Sequence, residues 1–400
     1  MKILHVDAEF IPHLGYQVNV ISKFMAKKGH DVSIISTSLK HVRKHQQVYL
    51  KDKSRLSDED FYKLFQVKVY RVKTFGIISD RHIWSLNLFK QIKFINPDVI
   101  FFHDNDTLVS MLFLYYYYKK INIPFITDSH MIEFASKNKF KSIFRWVYRK
   151  TITPKLVENN ITIVRTIEDN FIKEAFNIPL EQAPVVSFGS DIDLFKPVSS
   201  VKSSFRIEHK LSIDERVFVY AGKLSKDKNG IFFAKSITEL FTDTKFKPVF
   251  LIIGDTQGEY GNEVEGFFSK SENKIIRFPL QSYLALPTFF QASDVGIIPA
   301  AASLTYFDMI ASGIPIIWPN LNVNAVRSSN EFTSLFQPDS QIEFRKSILN
   351  YLNMSDNELI SQSKKARDFC LKNFSYEKIT DQFINIMKNE ISYRKNHGFK

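Results

Sequence analysis

Short apolar runs recur along the first half of the chain at Lys2–Val6, Val32–Ser36, Val67–Val72, Val99–His103, Phe125–Ser129 and Ile161–Arg165. Most are continuous rather than alternating, the pattern of strands covered on both faces by helices. Between the first two, Tyr16 to Lys28 places Val18, Ile21 and Met25 at helical spacing, and Gly29-His30 closes the helix. A second cycle of strands is predicted at Val217–Ala221, Val249–Ile253, Lys274–Phe278, Val295–Ile298 and Pro315–Trp318. The two cycles meet at the turn-rich stretch Ser187–Pro197 and the polar residues that follow it. This alternation predicts an α/β chain of two Rossmann-like, doubly wound domains. The domains are expected over 1–188 and 205–375, with 189–204 as linker or hinge. An amphipathic last helix over 376–392 (Ile379, Phe383, Ile384, Met387) is expected to pack back on the first domain, with a frayed basic tail after Tyr393.

The stretch from Asp294 to Pro319 carries the most chemistry. An apolar strand ends at Pro299, a small-residue loop (Ala300, Ala301, Ala302, Ser303) follows, and a helix with Asp308 leads to Gly313-Ile314-Pro315 and a second strand. Strand, loop, helix start and strand form the unit that sets an anionic ligand against exposed backbone N–H groups. Asp308, about a turn into that helix, is positioned to accept hydrogen bonds from hydroxyls. Phosphate and hydroxyls together point to a nucleotide or nucleotide-sugar. No G-x-G occurs anywhere in the chain, which argues against a dehydrogenase-type dinucleotide site.

Composition narrows the classes. Four hundred residues at 44% hydrophobic content can bury two cores at roughly 150 residues per domain. The single cysteine, Cys370, excludes an intramolecular disulfide and a cysteine-only metal cluster, and fits a reducing compartment. Asp7 interrupts the first apolar run, so that run does not read as a signal peptide. No stretch reaches the length of a membrane span; Met111 to Tyr118 is too short and ends in Lys119-Lys120. The expectation is therefore a cytoplasmic protein. Its net charge of +12 favours an anionic partner: nucleic acid, an acidic membrane surface or phosphorylated substrates. Residues 137–155 concentrate seven cations and no acid around Phe140, Ile143, Phe144, Trp146, Val147 and Tyr148. The pattern reads either as a surface helix with one buried face or as an interfacial helix for anionic lipids. No recognised nucleic-acid module accompanies it, so nucleic acid is not expected.

Ordered motifs then resemble the GT-B glycosyltransferases of glycosyltransferase family 4. They are the opening strand with Pro12-His13-Leu14-Gly15 and Gly29-His30; Phe188-Gly189-Ser190-Asp191 through Phe195-Lys196-Pro197; Tyr220-Ala221-Gly222-Lys223-Leu224-Ser225-Lys226-Asp227-Lys228; Gly254-Asp255; and Asp308-Met309-Ile310-Ala311-Ser312-Gly313-Ile314-Pro315. The resemblance implies two domains facing across a cleft, and transfer of a sugar from a nucleotide-sugar to a saccharide or lipid-linked acceptor. It further implies retention of anomeric configuration, a role in surface glycan synthesis and no required metal or other cofactor. The chain departs from the family at several points. Ala300 stands where the first of two glutamates is usual, the second is shortened to Asp308, an arginine is replaced by Lys223, Asn229 follows Lys228, and the first loop has Gly15-Tyr16 in place of a double glycine. These imply an altered donor pocket.

The resemblance assigns candidate roles residue by residue. Lys223 and Lys228 would neutralise charge growing on the leaving diphosphate, though spacing alone reads them as solvated loop lysines. Gly15, Gly222, Ala302, Ser303, Leu304 and Thr305 would line the donor with backbone. Asp308 would take ribose or sugar hydroxyls; otherwise it is a solvated helical acid. His130 would sit near the reacting sugar in a positioning or proton-handling role, the alternative being a satisfied strand-end histidine; His103 is the weaker candidate. Three D-x-D strings (Asp58–Asp60, Asp104–Asp106, Asp191–Asp193) read as caps or turns rather than as a metal–nucleotide mark. Two rivals stay open: a nucleotide-sugar epimerase on the same architecture, and a non-catalytic binding or scaffolding relative made credible by Ala300.

Overall fold

A computed structural model describes residues 1–41, 50, 56–78, 81–103, 122–130, 140–300 and 303–398. The chain forms two compact units, Met1–Phe188 with Tyr376–Lys400, and Gly189–Ser375. Residues 189–204 belong to the second unit, and from Ser199 they are helical (Ser199–Glu208).

In the first unit the strands are β1 (Lys2–Val6), β2 (Asp31–Thr37), β3 (Val67–Val72), the hairpin pair β4 (Thr74–Ile78) and β5 (Arg81–Trp84), β6 (Val99–Phe102), β7 (Phe125–Ser129) and β8 (Ile163–Arg165). The main sheet has the order β3-β2-β1-β6-β7-β8, and each neighbouring pair is parallel. The hairpin stands apart as an antiparallel pair. In the second unit β9 (Glu215–Ala221), β10 (Lys247–Ile253), β11 (Lys274–Phe278), β12 (Val295–Ile297), β13 (Ile316–Pro319) and β14 (Thr333–Phe336) adopt the order β11-β10-β9-β12-β13-β14, again parallel throughout. Leaving the hairpin aside, both sheets follow the doubly wound order 3-2-1-4-5-6. Each therefore reverses direction once, between β1 and β6 and between β9 and β12. In such sheets ligands bind outside the carboxyl ends of the strands at that reversal.

The inner strands are almost wholly buried on both faces, which is why they read as apolar runs, whereas the edge strands β3, β11 and β14 are half-exposed and more mixed. Leu4, Val6, Ile35, Ile100, Phe102, Phe125 and Ile163 share one core; Phe218, Tyr220, Phe250, Ile252, Val295, Ile297 and Ile317 share the other. The helix Gln17–Lys27 buries Val18, Ile21 and Met25 as its spacing requires. The last helix, Tyr376–His397, packs on it, with Lys28 paired to Asp381 at 2.9 Å and the Phe383 ring 5.2 Å from that of Phe101. This helix does not fray after Tyr393. Arg394 is buried, bonds Glu390 at 2.6 Å and donates to the Asn159 carbonyl, which holds the final turn. Among the described residues no helix is long and apolar enough to cross a membrane.

Candidate functional site

At the second sheet's reversal the chain leaves β9 through Gly222, at φ 155°, and leaves β10 through Gly254, at φ 146°. The two backbones touch here: a Cβ on Gly254 would lie 1.8 Å from the Gly222 carbonyl oxygen. The loop is tied by the Tyr220 hydroxyl donating to the Lys223 carbonyl at 2.7 Å and by the Leu224 N–H donating to the Asp255 carbonyl at 3.2 Å. It then makes a short 3₁₀ turn, Lys226–Lys228, and exits through Asn229 in the left-handed region at φ 57°. Asparagine tolerates that conformation where most residues do not, and its amide donates to Asp339 at 2.9 Å. Lys228 is half-buried, and burial lowers its pKa against the attraction of Asp227. Among the described residues no carboxylate forms an ion pair with it. A desolvated ammonium beside backbone stripped of side chains suits an incoming anion.

Across the same reversal, the helix Thr305–Ala311 opens with the Ser303 and Thr305 hydroxyls 2.6 Å apart. Leu304 precedes it in a helical conformation at φ −66°. Asp308 is buried, and its Oδ1 accepts from the Ser190 hydroxyl at 2.6 Å. Burial, with the nearby charge of Asp191, pushes its carboxyl well above the usual range against the hydrogen bonds of Ser190 and Tyr283. Through the Ser190 bond, Asp308 anchors the Gly189–Pro197 stretch. Arg367 clamps that stretch too, donating to the carbonyls of Phe195 at 2.7 Å and Ile192 at 2.9 Å. The motif around Ser190 marks the turn but not its bond to Asp308, and Arg367 lies in none of the motifs.

The first unit's reversal carries a different chemistry. His5, next to the carboxyl end of β1, sits with Nδ1 3.1 Å from Nε2 of His103, which follows β6. His103 Nδ1 lies 2.7 Å from Asp128 Oδ2 on β7, and His130 Nε2 reaches the same oxygen at 3.2 Å. The His130 ring stacks on Phe188 at 5.2 Å and 12°. Burial and the proximity of His103 lower the pKa of His5. Burial alone would lower His103 as well, but the charge and hydrogen bond of Asp128, with Asp7, outweigh it and raise the pKa. Burial would raise Asp128, yet the two histidines hold it far below the usual carboxylate range. Donor atoms of His103, Asp128 and His130 all lie within 4.8 Å, close enough to be considered for a cation. Gly15 lies half-buried in the loop before the first helix, where the Asn19 amide fixes the path by donating to the Ile11 carbonyl at 2.9 Å.

Of the residues singled out from the sequence, Gly222, Lys223 and Lys228 share one loop, and Ser303, Leu304, Thr305 and Asp308 share one helix start. His130 and Gly15 belong to the first unit. Ala302, Asp104–Asp106 and residues 137–139 lie outside the described residues. Two D-x-D strings are local devices. Asp60 closes a capping box with Ser57, Asp58 pairs with Arg71 at 2.6 Å, and Asp191 accepts the N–H groups of Asp193 and Leu194, each at 3.2 Å. Sequence reasoning missed Asp128 and His5; each is a polar residue inside an apolar strand, which is the signal that could have found them. On the helix Lys141–Thr151, Phe140 just before its start, Ile143 and Trp146 are 69%, 63% and 60% exposed, while Tyr148 is buried.

No family model matches the chain, and no curated protein matches it in sequence. Solved structures match it over nearly its whole length. A sucrose-phosphate synthase from Thermosynechococcus elongatus superposes with a TM-score of 0.72 at 14% identity, covering 98% of this chain and 99% of that one. A glycosyltransferase from Rickettsia africae ESF-5 gives 0.72 at 15% identity, covering 98% of each chain. Anabaena HepE, in complex with UDP and glucose, gives 0.69 at 13% identity over 97% of this chain and 99% of that one. The fold is that of the GT-B glycosyltransferases.

Proposed function

We propose that this chain is a glycosyltransferase (EC 2.4) that moves a sugar from a nucleotide-sugar donor to a saccharide or lipid-linked acceptor. The observation that carries the reading is the second unit's sheet reversal. There a half-buried Lys228, in no ion pair among the described residues, lies on a loop whose Gly222 meets Gly254 backbone to backbone. That is the environment a diphosphate needs. The likeness to a protein solved with UDP and glucose supports the same reading. In it Lys223 and Lys228 offset the charge on the leaving diphosphate. Gly15, Gly222, Ser303, Leu304 and Thr305 give the donor close backbone approach, and Ala302 is proposed alongside them. Asp308, if the donor frees it from Ser190, takes a hydroxyl. His130 serves the reacting sugar from the first unit.

On this reading the reaction retains anomeric configuration, needs no metal or other cofactor and belongs to surface glycan synthesis. The protein works in the cytoplasm, docked peripherally on an anionic membrane. Exposed Phe140, Ile143 and Trp146, flanked by Lys141, Arg145, Arg149 and Lys150, support that docking.

The test is thermal: the protein is melted in EDTA with a panel of nucleotide-sugars while release of nucleoside diphosphate is followed. One donor should raise the melting temperature, and Lys228→Ala should abolish the rise while leaving the unliganded melt in place. Product NMR reads the anomeric outcome. No response to any donor, with or without divalent metal, would turn the reading toward a non-catalytic relative. Isomerisation of a nucleotide-sugar without release of nucleoside diphosphate would turn it toward an epimerase.

A further inference from the structure

The four-membered chain His5–His103–Asp128–His130 permits a proton assignment. An ionised carboxylate only accepts hydrogen bonds. The hydrogens on Asp128 Oδ2 therefore belong to His103 Nδ1, 2.7 Å away, and to His130 Nε2, 3.2 Å away. A neutral imidazole carries one N–H, so neutral His130 must present Nδ1 as an acceptor. The plane of its ring is fixed by the stack on Phe188. Behind the carboxylate, the His103 ring is packed on Phe101 at 4.1 Å and its Nε2 meets His5 Nδ1 at 3.1 Å. Asp7 adds a further negative charge facing His103.

A cation could in principle replace these protons. Donor atoms about 2.0–2.2 Å from a tetrahedral ion stand about 3.3–3.6 Å from one another. The 2.7 Å between His103 and Asp128 is shorter than that edge and is a hydrogen-bond length.

We propose that Asp128 is the positioning residue of this edge. Through one oxygen it fixes His130 as the Nε2–H tautomer and presents Nδ1 as an acceptor for a ligand hydroxyl, while His103 and His5 brace the carboxylate from the sheet interior. The identity of that hydroxyl, on a sugar, rests on the glycosyltransferase reading; the tautomer does not.

The test uses the full chain labelled with ¹⁵N-histidine, in EDTA, with imidazole tautomers read by long-range ¹H–¹⁵N correlation and His130 assigned by its loss in His130→Gln. At pH 8 His130 should show a single pattern, protonated at Nε2 and bare at Nδ1, and Asp128→Asn should lose that single pattern. An Nδ1–H pattern in the parent protein, or an unchanged pattern in Asp128→Asn, would overturn the proposal. So would an equimolar zinc addition, made to a sample freed of EDTA, that shifts His103 and His130 together. If Asp128→Asn shows no cooperative melt, His103→Gln is read instead. There the carboxylate serves one histidine only, so the titration midpoint of His130 should rise, and an unmoved midpoint would overturn the bracing. None of these readouts needs donor binding or turnover, so failure of the glycosyltransferase reading would leave them standing.

Discussion

The Ser190 hydroxyl donates to Asp308 at 2.6 Å, across 118 positions of sequence, and both side chains are buried. Because burial raises the Asp308 pKa above the unfolded value of 3.8, the folded state holds a proton that the unfolded chain releases once the pH passes that value. The sign follows: this group contributes fully below the unfolded pKa, and its contribution declines as pH rises towards the folded pKa. Asp308→Asn, which keeps an acceptor for Ser190 and has no proton to lose, should flatten the fall in urea midpoint between pH 5 and pH 8. Asp308→Ala should cost about 1–3 kcal/mol at pH 5 by leaving the Ser190 hydroxyl unsatisfied. Parallel pH profiles for the parent and Asp308→Asn would show that the carboxyl is ionised in the fold.

Two glycines separate steric from conformational cost. Gly254 has positive φ, and its missing Cβ lies 1.8 Å from the Gly222 carbonyl, whereas Gly258, at φ 63°, has no atom within 4 Å of that point. Gly258→Ala should cost about 1–2 kcal/mol, the left-handed penalty alone. Gly254→Ala should cost clearly more, because β9 and β10 must part to admit the methyl group. It should also remove any nucleotide-dependent rise in melting temperature. Equal losses in denaturant melts would mean that the loop yields freely.

Most of the architecture was legible because the inner parallel strands leave nearly unbroken apolar runs, and even the half-exposed edge strands β3 and β11 keep several apolar residues between turn signals. β1, β3, β7 and β11 begin and end at the residues their runs predicted. β14 went unread: Thr333-Ser334-Leu335-Phe336 is short and mixed, as an edge strand with one neighbour can be. The β4–β5 hairpin and the helices Gln341–Asn353 and Asp356–Asn373 also went unread. At the sites, the motif residues marked the loops but not their electrostatics. Nothing local in Asp308-Met309-Ile310 announces a partner at Ser190, and nothing in Phe125–Ser129 announces that Asp128 faces two histidines. Those pairings are set by which strand ends the sheet order brings together. The helical end at Arg394 was read as frayed because its buried partners, Glu390 and the Asn159 carbonyl, cannot be weighed from charge count alone.

That pair makes its own prediction. Glu390 is buried and its pKa is pushed up to about 7, with Arg394 opposing the shift. Removing the guanidinium leaves the carboxyl uncompensated and frees the Asn159 carbonyl, so Arg394→Met should destabilise the protein by about 3–5 kcal/mol. Glu390→Gln should cost less, since it keeps a hydrogen-bond acceptor for Arg394. Because the folded pKa is the higher one, it should also remove a loss of stability that the parent shows as pH rises from about 4.5 to 7. Urea melts at pH 5 and pH 7.5 read both effects.

The helix Lys141–Thr151 presents Phe140, Ile143 and Trp146 to solvent, beside cations at Lys141, Arg145, Arg149 and Lys150. Burying such an apolar stripe at a bilayer interface removes it from water, and each cation near an anionic leaflet adds about 1 kcal/mol. Sedimentation with vesicles containing phosphatidylserine should therefore carry the protein down, and vesicles of neutral lipid should do so much less. Phe140→Ser with Trp146→Ser should lose binding even at low salt. Lys141→Gln with Lys150→Gln should weaken it most at low salt, where screening is least. Since Tyr148 is the only residue of this helix that is buried, neither pair should shift the melting temperature by more than about 2 °C. Binding that ignores lipid charge would separate the apolar stripe from the cations as its cause. No binding to either vesicle would leave the exposed stripe without a membrane role.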